Sequence, residues 1–195
     1  MIEILNMATA LATNVVLLFL GVQAFRVFRR QRRPRLIINR AYSADIEAPC
    51  LISNMSYEAV YLSAVFCALE KDGRWLSSEV TDLAPEQQGD EESHFSFQGP
   101  VPPRHFYRFS GFDALIRHTL AEHGHSFDSW RSVESVEIRA VAIYGNEKYP
   151  LGVYRRFAIV PRQQSAVLIP ASVNTGRFSR RWHQHRIRNW FGELA

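Results

Sequence analysis

A mainly β body carried behind a single N-terminal transmembrane helix is the fold class this sequence predicts. Three observations carry it: a long uncharged apolar run closed by arginines, a series of about eight short strand-like segments with frequent turn signals, and one segment of helical period. The body is expected to be an antiparallel immunoglobulin-like β-sandwich with one inserted short helix, followed by a basic helix or tail. The expected divisions are residues 1–28 (anchor), 29–35 (basic collar), 36–170 (sandwich) and 171–195 (basic-aromatic tail).

Ile4 to Phe25 contains no charged residue. At ~1.5 Å per residue it spans about 33 Å, which matches a hydrocarbon core of roughly 30 Å. A cleaved signal peptide would place positive charge before the run, whereas here Glu3 precedes it and arginines follow it. A buried helix of a soluble domain would normally show a polar face, and an interfacial helix would be more basic along its length. Seven arginines lie between residues 26 and 40, and no Lys or Arg precedes them. Arg26, Arg29, Arg30, Arg32, Arg33 and Arg35 therefore set the direction: N-terminus outside, the rest in the cytoplasm, at the cell inner membrane. Asn6 and Asn14 are eight residues apart and share a helix face. Asn14 lies deeper in the run and is the candidate contact for a second helix.

Pro34 stops the helix, and Leu36-Ile37-Ile38 begins the β pattern. Strands are expected at Cys50–Ser53, Ala59–Glu70 and Trp75–Val80, the last two joined by an Asp72-Gly73 hairpin turn. Pro85 to Glu92 reads as an exposed acidic loop. His94–Phe97 and His105–Phe109 read as short strands split by Gly99-Pro100-Val101-Pro102-Pro103. Phe112, Leu115, Ile116 and Leu120 recur at one helix face, with Ser110 as the expected cap and Gly124 as the C-terminal stop. Val136 to Tyr144 alternates apolar residues against Ser135, Glu137 and Arg139, as a half-buried strand does. Tyr149–Val160 and Ala166–Ile169 complete the set.

The overall charge of +4 hides an uneven distribution. Residues 41–176 carry 11 Lys and Arg against 17 Asp and Glu, so an acidic body lies between two basic ends. One basic end is explained by the membrane, and nucleic acid is not an expected partner. Cys50 and Cys67 form no disulfide framework and should both be reduced in the cytoplasm.

Catalytic signatures are missing from the sequence. There is no nucleophile elbow and no glycine-rich phosphate loop, and the chain is not expected to be an enzyme. His118 and His123 are five residues apart, about 140° around a helix, so they do not pair as metal ligands. His125, His183, His185 and the acidic run Asp90-Glu91-Glu92 likewise read as solvated groups. No metal or cofactor is expected.

The tail is more suggestive, because Arg180, Arg181, Arg186 and Arg188 alternate with Trp182, Trp190 and Phe191. It could lie on anionic lipid head groups, dock on an integral-membrane partner subunit, contact nucleic acid, or fold back on its own domain. The expected role is a non-catalytic accessory or assembly subunit of a larger membrane complex, with a cytoplasmic interaction domain. The alternative is a membrane-tethered regulator or sensor whose sandwich binds a ligand or nucleic acid.

Overall fold

The computed structural model describes residues 1–31, 34–83, 98–145, 147–163, 165–179 and 181–192. It divides into two compact units, residues 1–33 and 34–195. The expected loop at 85–92 and the expected strand at 94–97 lie outside the described residues.

The first unit is one helix, α1 (Ile2–Gln31). Ile2–Phe28 is long and apolar enough to cross a membrane, and none of its apolar stretch is buried. Thr13 Oγ donates to the Thr9 carbonyl at 2.8 Å, and Thr9 Oγ to the Asn6 carbonyl at 2.9 Å. These hydroxyls satisfy themselves within the helix and need no partner in lipid. The helix continues through Arg26, Arg29 and Arg30, so half of the collar is built on the helix itself.

The second unit is mainly β, with antiparallel pairing throughout. One sheet has three strands, ordered β1 (Leu36–Arg40), β2 (Pro49–Asn54) and β6 (Phe106–Gly111). The other has seven. Its main path runs β10 (Gly176–Phe178), β8 (Leu151–Pro161), β7 (Val133–Tyr144), β3 (Val60–Lys71) and β4 (Arg74–Glu79). Off this path, β5 (Gly99–Val101) pairs with β3, and β9 (Ala166–Pro170) with β8. Both sheets and helix α2 (Phe112–Glu122) contribute to a single hydrophobic cluster. Ile38 and Ile52 enter it from the small sheet, Leu62, Ile138 and Phe157 from the large one, and Phe112 and Leu120 from α2. This strand order does not by itself establish an immunoglobulin-like arrangement.

Local chemistry explains the main boundaries. Asp72 and Gly73 both take positive φ, 50° and 70°, as a two-residue turn between twisted strands requires. α2 ends with Gly124 at φ 73°, while the His125 and Gly124 amides return to the Leu120 and Ala121 carbonyls. Its start departs from the sequence expectation. The N-cap is Gly111, and no side chain caps the helix. Instead the amides of Phe112 and Asp113 donate to the carbonyls of Ala48 and Ile46, and a Cβ at position 111 would sit 2.8 Å from the Glu47 carbonyl oxygen. Ser110 Oγ bonds the Leu83 carbonyl, so the neighbouring chain satisfies the helix start that Ser110 was expected to cap.

Cys50 and Cys67 are free, and both are fully enclosed in the core. Burial pushes the Cys67 thiol up to about 12, against a smaller opposing effect of a hydrogen bond with Thr119. Cys50 is raised further, again by burial. Both thiols stay protonated and inert in the folded protein.

Candidate functional site

The inner face of the seven-stranded sheet supplies the core; its outer face carries the polar chemistry. Strand register sets out that face in rows. Glu70 lies between Trp75 and Ser135; next, Ala68 pairs with Glu137, and Glu137 with Arg156. The following row runs Phe66, Arg139, Tyr154 and Gly176, and beyond it come Ala64, Val141, Gly152 and Phe178. One end of the face is therefore charged and the other apolar.

Helix α3 (Gln184–Gly192) covers the apolar end. Ile187 and Trp190 are buried with Ala64, Phe66 and Val141 in a second small core, with Tyr154 and Phe178 at its edge. Phe191 meets the Phe66 ring edge-on at 5.0 Å between centroids. Gly152 makes this approach possible, because a Cβ there would lie 2.8 Å from Ile187 Cγ1 and 3.1 Å from Trp190. The C-terminal stretch thus folds back on its own domain. Of the four arrangements open in the sequence, this is the one these contacts form.

The charged end is held by alternating groups. Arg139 Nε pairs with Glu137 Oε1 at 2.7 Å, and its guanidinium lies 5.7 Å from the ring centroids of both Trp75 and Trp190. Arg156 lies 3.5 Å from carboxylate oxygens of both Glu70 and Glu137, over the Trp75 ring at 4.5 Å. Ser135 Oγ donates to Glu70 at 2.8 Å. Glu137 and Arg139 are only 8% and 7% exposed, so a pair that reads in the sequence as a solvated strand face is instead buried and mutually neutralised.

Between this network and α3 lies a cleft of about 380 Å³. Arg139, Arg156 and Arg186 line it against a single carboxylate, Glu137; Tyr154, Phe178, Trp190 and Asn189 complete the wall. Tyr154 and Phe178 stack at 4.9 Å, and Arg186 lies 5.3 Å above the Phe178 ring. This arrangement is suited to binding an anion through guanidinium groups held by aromatic faces.

The residues singled out in the sequence divide sharply. Arg186 and Trp190 meet at the cleft. Arg181 and Arg188 are exposed, and Trp182, 64% exposed, stacks on His183. Asn14 and Arg26 are exposed on α1; Arg35 is exposed at the start of the body, its amide bonded to Ser56 Oγ. Arg32, Arg33 and Arg180 lie outside the described residues, as do the side chains of Arg29 and Arg30. The histidines do not converge: His123 Nε2 contacts the Ser77 carbonyl, His118 approaches Glu122, and His183 packs on Phe178. No group of three or more potential metal ligands is found among the described residues.

Sequence reasoning missed Glu70, Trp75, Arg139, Tyr154, Arg156 and Phe178. The available signal was the presence of opposite charges at outward positions of neighbouring long strands, but strand register was needed to bring them together. Comparison with known protein families, curated proteins and solved structures finds no match.

Proposed function

We propose that this chain is a non-catalytic, single-pass membrane protein that serves as an accessory subunit of a larger membrane complex and holds its β body as an interaction module in the cytoplasm. The observation that carries the reading is α1: its apolar stretch is entirely unburied, so in water it would expose a large apolar surface. The arginine bias at its C-terminal end supports a cytoplasmic body. Asn14, exposed on that helix, supports a helix partner, since a carboxamide in hydrocarbon gains from an interhelical hydrogen bond.

Purification of the full chain from its native membrane in mild detergent tests the reading. Integral-membrane subunits should copurify in fixed stoichiometry. Asn14→Leu should weaken that assembly by about 1 kcal/mol, a severalfold loss of retained partner. A lone, monodisperse species would overturn the subunit reading, and unchanged retention in Asn14→Leu would remove Asn14 from the contact.

A second reading, a membrane-tethered regulator or sensor, is favoured by one observation: the arginine-lined cleft between the sheet and α3.

A further inference from the structure

We infer that the cleft beside α3 is a binding site for a phosphate monoester, with Arg156 and Arg186 as its anion-holding residues. The inference rests on the ligand-binding reading of the body and is independent of membrane anchoring and of copurifying subunits.

Charge selects the ligand class. Three arginines and Glu137 line the cleft, and Glu70 lies 3.5 Å from Arg156, so the group as a whole keeps an excess of one positive charge. A phosphate monoester carries about −1.5 to −2 near neutral pH and three strong acceptor oxygens, so it can take donors from both walls at once, where a carboxylate offers two oxygens in one plane. Both oxygens of Glu137 are already engaged, one by Arg139 at 2.7 Å and the other by Arg156 at 3.5 Å. Arg156 reaches its two carboxylates only at 3.5 Å and is 42% exposed, so its guanidinium keeps donor capacity toward the cleft.

Arg186 comes from the opposite wall, on α3, and is placed by the Phe178 ring rather than by a described carboxylate. Asn189 stands one turn away on the same helix and adds an amide donor. Donors from a strand and a helix thus converge on one space, and the aromatic faces that hold the guanidiniums reduce the cost of ordering them. The volume lies at the lower end of the range of small-molecule sites. It exceeds what a bare phosphate needs and leaves space for an organic substituent. A network that served only to seat α3 would need neither Arg186, for which the described residues supply no carboxylate, nor an open cleft beside it.

The test titrates phenyl phosphate into the full-length protein in detergent, read by calorimetry and by Trp fluorescence, since Trp190 borders the cleft and Trp75 lies under Arg156. Saturable binding is expected, weakening as salt is added. Arg156→Gln and Arg186→Gln should each reduce affinity by about tenfold or more, the loss expected for a charged hydrogen bond. Arg186 is exposed, so Arg186→Gln should leave thermal unfolding unchanged and keep the test clear of folding effects. Absence of saturation would overturn the site, as would equal affinity in a folded Arg186→Gln protein. Benzoate should bind more weakly than phenyl phosphate; equal binding would overturn the choice of phosphate. Nanodiscs with and without phosphatidic acid then separate the sources of the group: competition by the lipid assigns the site to a head group, and no competition assigns it to a soluble ester.

Discussion

Gly152→Val is expected to unseat α3 from the body. Even a single Cβ at this position meets Ile187 at 2.8 Å and the Trp190 ring at 3.1 Å, and valine adds two further methyl groups. The rigid indole has no room to turn aside, because it closes the second core together with Phe66 and Val141. Burying side chains such as Ile187 and Trp190 stabilises by about 1.5–3 kcal/mol each, so losing the seat should cost roughly 3–5 kcal/mol of local stability. Hydrogen exchange should show the amides of residues 184–192 losing protection while β3 and β7 keep theirs. Trp190 emission should shift to the red. Retained protection across α3 would mean that Gly152 is not what admits the helix. The same variant should abolish phenyl phosphate binding, because Arg186 and Asn189 leave with α3.

Arg155→Met should produce a loss of similar size, spread over the whole body. Arg155 points to the inner side of β8 and is 8% exposed. Its Nη1 donates to the Ile38 carbonyl at 2.8 Å and to Asn39 Oδ1 at 3.2 Å, while Nη2 reaches the carbonyls of Ser172 and Val173 at 3.3 Å. One side chain therefore ties β1 of the small sheet to β8 of the large one and to the turn before β10. Burial lowers its pKa, with a further contribution from Arg40, yet the guanidinium stays charged at neutral pH. Methionine fills much of the volume but takes the charged donor from four acceptors, of which the Ile38 carbonyl and Asn39 Oδ1 keep a second donor in Thr175 and the Arg40 amide. Charged hydrogen bonds contribute about 1.5–3 kcal/mol each and do not add fully, so urea unfolding should report a loss of about 3–4 kcal/mol. Arg155→Lys should recover little of it, since an ammonium cannot span the same acceptors. A loss under about 1 kcal/mol would show that water replaces these bonds.

The elements with strong periodicity were legible in the sequence. The α2 face of Phe112, Leu115, Ile116 and Leu120 is buried as its spacing predicts, β3 is largely buried on both faces as its continuous apolar run predicts, and the inward apolar residues of β7 and β8 are buried. β5 was read as a break because Gly99 and Pro100 signal a turn; on a short edge pairing, a proline without an amide is tolerated. β10 is only three residues long, too short to show a period, and its pairing to β8 is a long-range fact.

The cleft was half legible. Trp190 and Arg186 stood out in the tail, but a helical wheel drawn through the whole tail sets Phe178 on a different side from Trp190, whereas Phe178 lies on a strand and its ring centroid is 5.8 Å from that of Trp190. A wheel drawn through a strand and a turn assigns false neighbours. Glu137 and Arg139 read as solvent-facing because alternation reports the two faces of a strand; it does not report what covers the outer one.

The most direct test of a single-pass anchor with a cytoplasmic body is labelling of single cysteines by a membrane-impermeant maleimide in intact cells. Cys50 and Cys67 are buried and protonated, so they provide a silent background. Ile2→Cys places a thiol at the start of α1, and Val173→Cys places one at a position that is 89% exposed on the body. The expected result is labelling of Ile2→Cys in intact cells and of Val173→Cys only after the membrane is opened. Labelling of Val173→Cys in intact cells would contradict the cytoplasmic body, and protection of both thiols until permeabilisation would contradict the span.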